Sequence, residues 1–574
     1  MIFTVHFKNI CFNTFQEAGE FVEITLATKD WLFNAGLSGF INIISSNSEK
    51  KKLCKIENNS FTFDIKVLEH FEDDFFNFFI KRYKNILTFS KLISSEKIID
   101  DFLETEKYSE TEILKINDII ELFKAKLKLN SFISAYDYIK QGLKDEILLD
   151  EKKLKKIKIN KEKNFSNEEV KNNLLLLKKI ISEIRTEEKQ RNHVAAKNVA
   201  YSVINRAWNN VSFFNPSKTG NDIFEEYKQY FVKPVIDFIN ENKSKMTLSC
   251  SLTGIKMKYS KKSIAFLNDM GYDIAKKTSH GWNHHSEIVI SPLAILIYSC
   301  IPAGFTYLFN DGIFVNANSD LNELVRINSA ISYKVLEEKE KISQFIESII
   351  DELGDYRYEI SDIQVIRLEN LKYKFQTLSK QKLQKLANCK NELQLIKGKY
   401  YKNEKKEYCY LYDLADAVIE GKQLKQFLNF LCRIYILKKS DLNYSPETLF
   451  AILKINNKIE RKEKATMEEK KKEINELYYL RQKGIEFRTR YIAKSGNEKK
   501  IETLAFKLLE SLRAGNVKKF MDEILSVHMY AGIPVESAFV KAISEEKAFY
   551  DAGYAFVIGI LGKSNKKEGE ENEE

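Results

Sequence analysis

The chain is poor in proline and has no paired cysteine motif, and both scarcities restrict what it can be. Its 574 residues include only six prolines, and long helices can therefore run without the residue that most often ends them. The seven cysteines are scattered, and no two form C-x-x-C, so we expect free thiols in a reducing cytoplasm. The first residues, MIFTVHFKNI, lack the basic and apolar regions of a signal peptide. We therefore expect a cytoplasmic protein.

Motifs of common enzyme classes are missing as well. The sequence contains no H-E-x-x-H, no G-x-S-x-G and no G-x-G-x-x-G. Gly562, Lys563 and Ser564 resemble the end of a phosphate-binding loop, but Val557 occupies the position of its first glycine. The pattern favours a helix end there, and it predicts no cofactor.

One uncharged run, residues 288–309, is long enough to span a bilayer. It contains Pro292, Pro302 and Gly304, and it leads into the turn sequence Asn310-Asp311-Gly312 between two apolar stretches. Such a turn predicts a β-hairpin. We expect a buried helix followed by a hairpin, and no membrane partner.

The composition is that of a globular protein with a basic balance. Hydrophobic residues make up 44% and charged residues 30% of the chain. The 91 lysines and arginines exceed the 81 acidic residues, for a net charge of +10. This balance permits nucleic-acid binding without requiring it.

The hydrophobic pattern predicts an α+β fold with several domains. Strand patterns at 2–7, 20–26 and 61–68 flank an apolar helix at 30–44, whose Gly36 and Gly39 allow close backbone approach. The predicted segments are an N-terminal α/β and helical region (1–245), a mixed segment with the hairpin (246–330), a helical continuation (331–440), a C-terminal helical bundle (441–565) and a disordered tail (566–574).

Three histidines, His280, His284 and His285, precede the apolar run. Two of them have i, i+4 spacing, and with Cys250 and Cys300 they suggest a zinc site or the metal site of a nuclease. A glycine and an asparagine between them disfavour a helix, and no carboxylate occupies the general-base position of a metalloprotease. We therefore expect a polar loop without metal.

The central segment resembles a known family. The run KKTSHGWNHHSEIVISPLAILIYSCIPAGF (276–305), followed by IFVNANSDLNELVRIN (313–328), is similar to the large subunit of type I-B CRISPR Cascade complexes. More narrowly, it resembles the branch named for paired C-x-x-C motifs. The pairs here read Cys250-Ser251-Leu252-Thr253 and Ser291-Pro292-Leu293-Ala294. Further stretches resembling the family are DWLFNAGLSGF (30–40), WNNVSFF (208–214), YKQYFVKPVIDFI (227–239), RAGNVKKFMDEILSVHMY (513–530) and EKAFYDAGYAFVIGILG (546–562).

This resemblance implies a fold as well as a function. It makes residues 246–330 a degenerate zinc-ribbon-like insert that keeps one of four ligands, Cys250, and it makes residues 441–565 similar to a Cascade small subunit. In the family, the large subunit is non-catalytic. It contacts the 5′ handle of the CRISPR RNA, recognises the protospacer-adjacent motif on duplex DNA, helps to open the duplex and to stabilise the R-loop, and helps to recruit a helicase-nuclease in antiviral defence.

The resemblance and the residue chemistry together nominate nucleic-acid-binding residues. Amides read base edges, cations hold phosphates and tryptophans stack on bases. Each candidate also has an alternative role without nucleic acid. An asparagine can cap a helix or form a turn, a tryptophan can belong to the core, and a cation can lie on an ordinary solvated face. The candidates are Asn34, Asn205, Trp208, Asn209, Asn210, Lys276, Lys277, Trp282, Asn283, Arg481, Arg488, Arg490, Arg513, Lys518 and Lys519, together with Trp31, Lys483 and Lys494.

Met467 begins the pattern of the C-terminal helices, and purine-rich codons are expected for Arg461-Lys462-Glu463 just before it. We therefore hypothesise that an internally translated fragment serves as a small subunit. Two other readings of the chain stay open at the level of sequence. One is a metal-dependent nuclease that uses the histidines of 280–285, and the other is a helical scaffold without a nucleic-acid role.

Overall fold

The computed structural model shows two compact units. The first comprises Met1–Ile342 and Ile360–Thr377, and the second comprises Ser343–Glu359 and Leu378–Glu574. The structure describes residues 22–158, 165–185, 191–209, 222–244, 246–258, 264–271, 289–308, 311–317, 320–337, 363–369, 372–379, 388–396, 398–411, 414, 417–418, 421–460, 467–537, 539 and 545–562.

The first unit begins with a small antiparallel sheet beside a buried helix. Strands β1 (Glu23–Ala27), β2 (Cys54–Glu57) and β3 (Ser60–Asp64) form a sheet of order β1-β3-β2. Helix α1 (Trp31–Ser45) starts at Asp30, whose carboxylate accepts hydrogen bonds from two backbone N–H groups of the first turn. The short α2 (Ser48–Lys51) and then α3 (Phe71–Arg82) follow. The strands predicted near 20–26 and 61–68 and the helix predicted at 30–44 are confirmed within a few residues.

A helical layer follows, with a core of leucine, isoleucine and phenylalanine side chains. Its amphipathic helices place apolar residues three and four apart on one face. The helices are α4 (Thr88–Leu103), α5 (Glu110–Lys126), α6 (Asn130–Ile133), α7 (Tyr136–Ile139), α8 (Leu143–Lys153), α9 (Asn167–Ile184), α10 (His193–Ser202), α11 (Ile223–Tyr227) and α12 (Lys233–Asn240).

The uncharged run folds as expected into buried helix and hairpin. A two-residue pair of strands, β4 (Leu248–Ser249) and β5 (Lys256–Met257), precedes helices α13 (Pro292–Ser299) and α14 (Ile301–Gly304). Then β6 (Thr306–Leu308) pairs antiparallel with β7 (Asp311–Ala317), which confirms the hairpin. Helix α15 (Leu321–Glu337) follows. Over the described part of the chain, no helix is long and apolar enough to cross a membrane.

Close backbone contact joins α1 to α13 and α14. A Cβ atom on Gly39 would lie 2.0 Å from the carbonyl oxygen of Cys300, and one on Gly36 would lie 2.4 Å from that of Ile297. Gly304 meets the backbone of Ala35 in the same way. The predicted role of both α1 glycines is confirmed, because any side chain would force these helices apart.

The segment 331–440 differs from the helical expectation. Strands β8 (Ile363–Glu369) and β9 (Lys372–Leu378) complete a sheet of order β6-β7-β8-β9. The extended conformation of β8 comes from its pairing with β7, a strand that is distant in sequence. A preference for β structure depends strongly on such tertiary context.

The second unit is mainly helical, as predicted for the C-terminal region. Seven helices and one hairpin are described in it: α16 (Lys390–Ile396), β10 (Tyr400–Lys402), β11 (Tyr408–Tyr410), α17 (Lys425–Leu437), α18 (Pro446–Glu460), α19 (Met467–Ser495), α20 (Glu498–Arg513), α21 (Val517–Ala531) and α22 (Glu546–Leu561). Gly484 in α19 and Gly559 in α22 bring these two helices into backbone contact.

Candidate nucleic-acid interface

Asn34 lies in the core of the first unit. It is 3% exposed. Its side-chain oxygen accepts a hydrogen bond from the Lys29 N–H at 2.7 Å, and its amide nitrogen donates to the Lys29 carbonyl at 3.1 Å and to Asn316 Oδ1 at 3.0 Å. These hydrogen bonds give Asn34 a structural role, which was the alternative to base recognition in the sequence analysis. In this conformation Asn34 presents no group to a base edge.

Trp208 is also a core residue. Its ring is fully buried among Phe75, Phe231 and Phe266, and its indole N–H donates to the Ser299 carbonyl at 3.1 Å. A buried indole with a satisfied N–H is the usual arrangement in a protein core. The expectation that Trp208 stacks on a base is therefore not supported by its position.

The neighbouring asparagines are more accessible than Trp208. Asn209 is exposed, and its backbone N–H donates to the Phe266 carbonyl at 2.7 Å. Asn205 is half-buried, and its Oδ1 is a buried atom without a hydrogen-bond partner. Trp31 packs its ring against Tyr373 and Phe375 of β9, with centroids 5.4 and 5.2 Å away.

Part of the predicted site lies outside the described residues. This holds for the candidates of the central loop and for the three histidines, so their predicted roles stay predictions. The residues concerned are Asn210, Lys276, Lys277, His280, Trp282, Asn283, His284 and His285.

The four positions that the resemblance aligns with zinc ligands come together. The sulfur of Cys250 accepts hydrogen bonds from the N–H groups of Ser291 at 3.2 Å and Thr253 at 3.4 Å. The hydroxyl oxygens of Thr253 and Ser291 are 3.3 Å apart, and the Ala294 N–H donates to the Ser291 hydroxyl at 3.3 Å. A hydrogen-bonded cluster of one thiol and two hydroxyls therefore joins the β4–β5 turn to the start of α13.

Local sequence builds both halves of this cluster. In the turn, the N–H of Gly254 donates to the Cys250 carbonyl at 2.8 Å, and Gly254 adopts a φ of +71°, which favours glycine. On the other side, Ser291 is the N-cap of α13, and Pro292 occupies the first helical turn. Burial raises the pKa of the Cys250 thiol, but hydrogen bonds from Ser291 and Thr253 lower it by more, so the pKa lies below its ordinary value.

Cys300 does not share this environment. It is completely buried beside Ser299 and Tyr227, and burial strongly raises the pKa of its thiol. Among the described residues, the only cluster with metal-ligand geometry is His70, Glu72 and Asp73.

Basic side chains already balance the charge of that acidic cluster. Arg191 Nη2 lies 3.3 Å from Glu72 Oε1, and Arg191 Nε lies 2.8 Å from Asp73 Oδ1. Lys228 Nζ approaches Glu72 Oε1 at 3.4 Å. These contacts describe an ion-pair network that ties α3 to the helices around it.

Several predicted cations of the second unit form internal ion pairs. Arg481 pairs with Glu447 at 2.8 Å, and its guanidinium lies 5.0 Å from the ring centre of Phe450. Arg488 is buried, donates to the Ile560 carbonyl at 2.8 Å and pairs with Glu498. A buried, paired arginine stabilises the bundle and is poorly placed to hold a phosphate.

Three predicted cations on the surface near α20 and α21 are exposed: Arg513, Lys518 and Lys519. Arg490 is half-exposed and pairs with Glu486 at 2.7 Å, and Lys483 contacts the same carboxylate at 3.1 Å. Lys494 lies over the ring of Tyr530 at 5.2 Å. Of all these residues, Arg513 is the one that lines a cleft.

This cleft has a volume of about 670 Å³ and lies between α17, α20 and α22. Its lining contains four basic residues, one acidic residue, three aromatic rings and three amides. We call it the basic cleft, and its lining residues are Gln423, Lys425, Gln426, Asn429, Phe430, Arg433, Ile434, Leu437, Lys438, Leu512, Arg513, Glu546, Tyr550 and Tyr554.

The walls of the basic cleft are held in place by buried hydrogen bonds. The amide of Asn429 donates to the Leu509 carbonyl at 2.8 Å and to the Tyr554 hydroxyl at 3.1 Å. Burial raises the pKa of Tyr554, which therefore stays protonated. Lys425 lies 2.9 Å from Glu460 and 4.6 Å from the ring centre of Tyr550.

Apart from Lys425, the cations of the cleft are less closely paired than those inside the bundle. Arg433 approaches the half-exposed Glu510 only at 3.8 Å, and its guanidinium lies 4.5 Å from the ring centre of Phe506. Lys438 and Arg513 are exposed, as is the ring of Phe430 at 44%. Exposed cations beside an exposed aromatic ring suit a ligand that carries both phosphates and planar rings. In the sequence, the sign of this cleft is the mixture of aromatic and basic residues in KQFLNFLCRIYILKK. The pattern of charges alone did not identify this stretch as a candidate.

Comparison of the chain with protein-family models, with curated proteins and with solved structures finds no match.

Proposed function

We propose that this protein is the non-catalytic large subunit of a CRISPR RNA-guided surveillance complex of type I-B. In this proposal it contacts the 5′ handle of the guide RNA, recognises the protospacer-adjacent motif on duplex DNA, and helps to open the duplex and stabilise the R-loop. It works with the other Cascade subunits, and it helps to recruit a helicase-nuclease in antiviral defence. The proposal rests on the stretches of sequence that resemble the family.

The basic cleft is the structural observation that carries the nucleic-acid part of this proposal. Four basic residues and three aromatic rings line one cleft of the second unit. Phosphate contacts supply sequence-independent affinity, and aromatic rings stack on unpaired bases. The cleft thus has the chemistry needed to hold a displaced single strand while base pairing to the guide reads the sequence.

The cluster around Cys250 supports the family assignment independently of charge. The side chains of Cys250, Thr253 and Ser291 share one hydrogen-bonded cluster, to which Ala294 adds its backbone N–H, and these contacts join the same two chain segments that a bound zinc would join. In the proposal this cluster is a zinc ribbon that has lost its metal, and hydrogen bonding and apolar packing replace the ion.

Motif-dependent binding by the assembled complex tests the proposed function. The chain is co-expressed with the candidate Cascade subunits and a guide RNA, and complexes with and without it are titrated with target duplexes that carry a randomised flanking motif. We expect motif-dependent binding only when the chain is present. Equal binding in its absence, or failure to co-purify, would overturn the proposal in favour of a scaffold role. Cleavage of DNA by the purified chain would favour the nuclease instead.

A matched pair of double variants tests the role of the cleft. Lys438→Ala with Arg513→Ala removes two exposed cations of the cleft, whereas Lys499→Ala with Lys500→Ala removes the same charge from exposed positions at the start of α20. Each lost phosphate contact lowers the slope of log K against log salt by about 0.7 for a single strand. For the complex with the cleft variant, we expect the slope of log K against log salt to fall by more than one unit. The complex with the control variant should keep the slope of the native complex.

A further inference from the structure

The β10–β11 hairpin presents a ring-rich face that the basic cleft does not include. The register pairs Tyr400 with Tyr410 and Lys402 with Tyr408. Because side chains alternate along a strand, these four residues share one face of the hairpin. Tyr401 and Cys409 form the opposite pair and share the other face.

The two faces have different surroundings. On one face, Tyr401 packs edge-to-face on Phe430 of α17 with ring centres 5.4 Å apart, and this attaches the hairpin to a wall of the basic cleft. On the other face, Tyr408 is 54% exposed. The ring of Tyr400 lies 4.8 Å from that of Tyr408 and 5.9 Å from that of Tyr410.

Positive charge accompanies these rings. Lys402 Nζ lies 5.2 Å from the ring centre of Tyr408. Lys405 and Lys406 are exposed at the tip, and the segment 398–410 contains four lysines and two glutamates. One of these glutamates, Glu407, accepts a hydrogen bond from the Asn403 side chain at 2.8 Å.

The hairpin is held rigidly enough to act as a platform. At its tip, the side-chain oxygen of Asn403 accepts from the N–H groups of Lys405 at 3.0 Å and Glu407 at 2.9 Å. At its base, the N–H of Tyr400 donates to Asn443 Oδ1 at 2.6 Å, and the Asn443 amide donates to the Gly398 carbonyl at 2.9 Å. A platform whose shape is fixed in advance loses little conformational entropy when a ligand binds.

We propose that the outer face of this hairpin, formed by Tyr400, Lys402, Tyr408 and Tyr410, is a stacking platform for single-stranded nucleic acid. The exposed ring of Tyr408, beside two half-buried rings and several lysines, matches unpaired bases attached to a negatively charged backbone, whereas a base-paired duplex keeps its base faces covered. The inference rests on the proposed function, because it names the strand form that one surface of the subunit takes. It adds a site that is separate from the cleft residues.

The test uses the full-length chain and a fluorescently labelled thymidine 20-mer, with binding followed by anisotropy. Tyr408→Ala removes an exposed ring, Tyr408→Phe keeps it, and Tyr333→Ala removes a ring from an exposed position of α15 that is 64% accessible. Stacking on one base contributes a factor of roughly 5 to 100 in affinity. We expect the alanine variant at 408 to bind at least about fivefold more weakly, and the other two variants to bind like the native chain.

Two binding results, and one result from co-purification, would overturn the platform while leaving the proposed function standing. One is native affinity in Tyr408→Ala together with normal motif-dependent duplex binding by the complex. The other is an absence of oligonucleotide binding by the native chain beside such normal duplex binding. Loss of a co-purifying Cascade subunit in Tyr408→Ala, with unchanged oligonucleotide affinity, would also overturn it and would identify the face as a protein-docking surface. Failure of motif-dependent binding by the complex is measured separately and counts against the proposed function alone.

Discussion

Three substitutions should turn the cluster around Cys250 into a zinc site. Thr253→Cys, Ser291→Cys and Ala294→Cys would give the chain two C-x-x-C pairs, in which residues 250, 253 and 291 already contact one another through their side chains and Ala294 contacts Ser291 through its backbone N–H. In a tetrahedral site with Zn–S distances of about 2.3 Å, the sulfur atoms are about 3.8 Å apart. The hydroxyl oxygens of Thr253 and Ser291 are now 3.3 Å apart, so an expansion of about half an ångström is sufficient.

The expected affinity follows from the chemistry of four thiolates. Structural zinc sites contribute about 10–16 kcal/mol of apparent binding free energy at neutral pH. Even the lower limit corresponds to a dissociation constant of tens of nanomolar. Zinc buffered at a hundred times that constant would raise the free energy of unfolding by about 2.7 kcal/mol.

The assay measures zinc content per chain after dialysis against a weak chelator, together with denaturant unfolding with and without zinc. We expect one zinc ion per chain in the triple variant and a zinc-dependent rise in its stability. The same triple variant with Cys250→Ser is the control, and its affinity should fall sharply because one ligand is lost. A folded triple variant that holds no more zinc than the native chain would refute the reasoning, since it would mean that the four positions do not converge on one ligand site.

Asn34→Ala should lower the free energy of unfolding by about 1–3 kcal/mol in denaturant titrations and leave motif preference unchanged, because it removes the hydrogen bonds to Lys29 and Asn316 from a buried site; an altered motif preference in a stable variant would contradict this. Burial raises the pKa of Asp551 to about 6, so the contribution of this carboxyl to the free energy of unfolding should fall as pH rises from about 4 to 6. Asp551→Asn should therefore gain stability relative to the native chain as pH rises across this range, and a stability difference that does not change with pH would contradict this. Met467→Gln should abolish any internally initiated short product on immunoblots against the C-terminus, because glutamine codons do not start translation; a persisting product would refute the internal start.

Sequence patterns predicted the structure correctly where residues close together in the chain determine it. The turn sequence at Asp311-Gly312 and the apolar stretches around it predicted the β6–β7 hairpin, and the small residues of α1 predicted its close contact with α13 and α14. The strands β8 and β9 were missed, because β8 pairs with β7, which lies more than forty residues earlier, and β9 joins the sheet beside β8. Sequence period alone does not report such a partner.

The candidate site shows the same limit for charged residues. Arg488 and Arg513 read alike in the sequence, yet the first is buried against Glu498 and the Ile560 carbonyl, while the second is exposed at the cleft. What separates them is the neighbouring helix, since α22 covers one and leaves the other open. Because a paired, desolvated charge costs several kcal/mol to strip of its partner, only cations of the second kind can exchange their counterions for phosphate. Under the proposed function, we therefore expect nucleic acid to contact the side chains that the bundle leaves incompletely paired, and not the buried, paired Arg488.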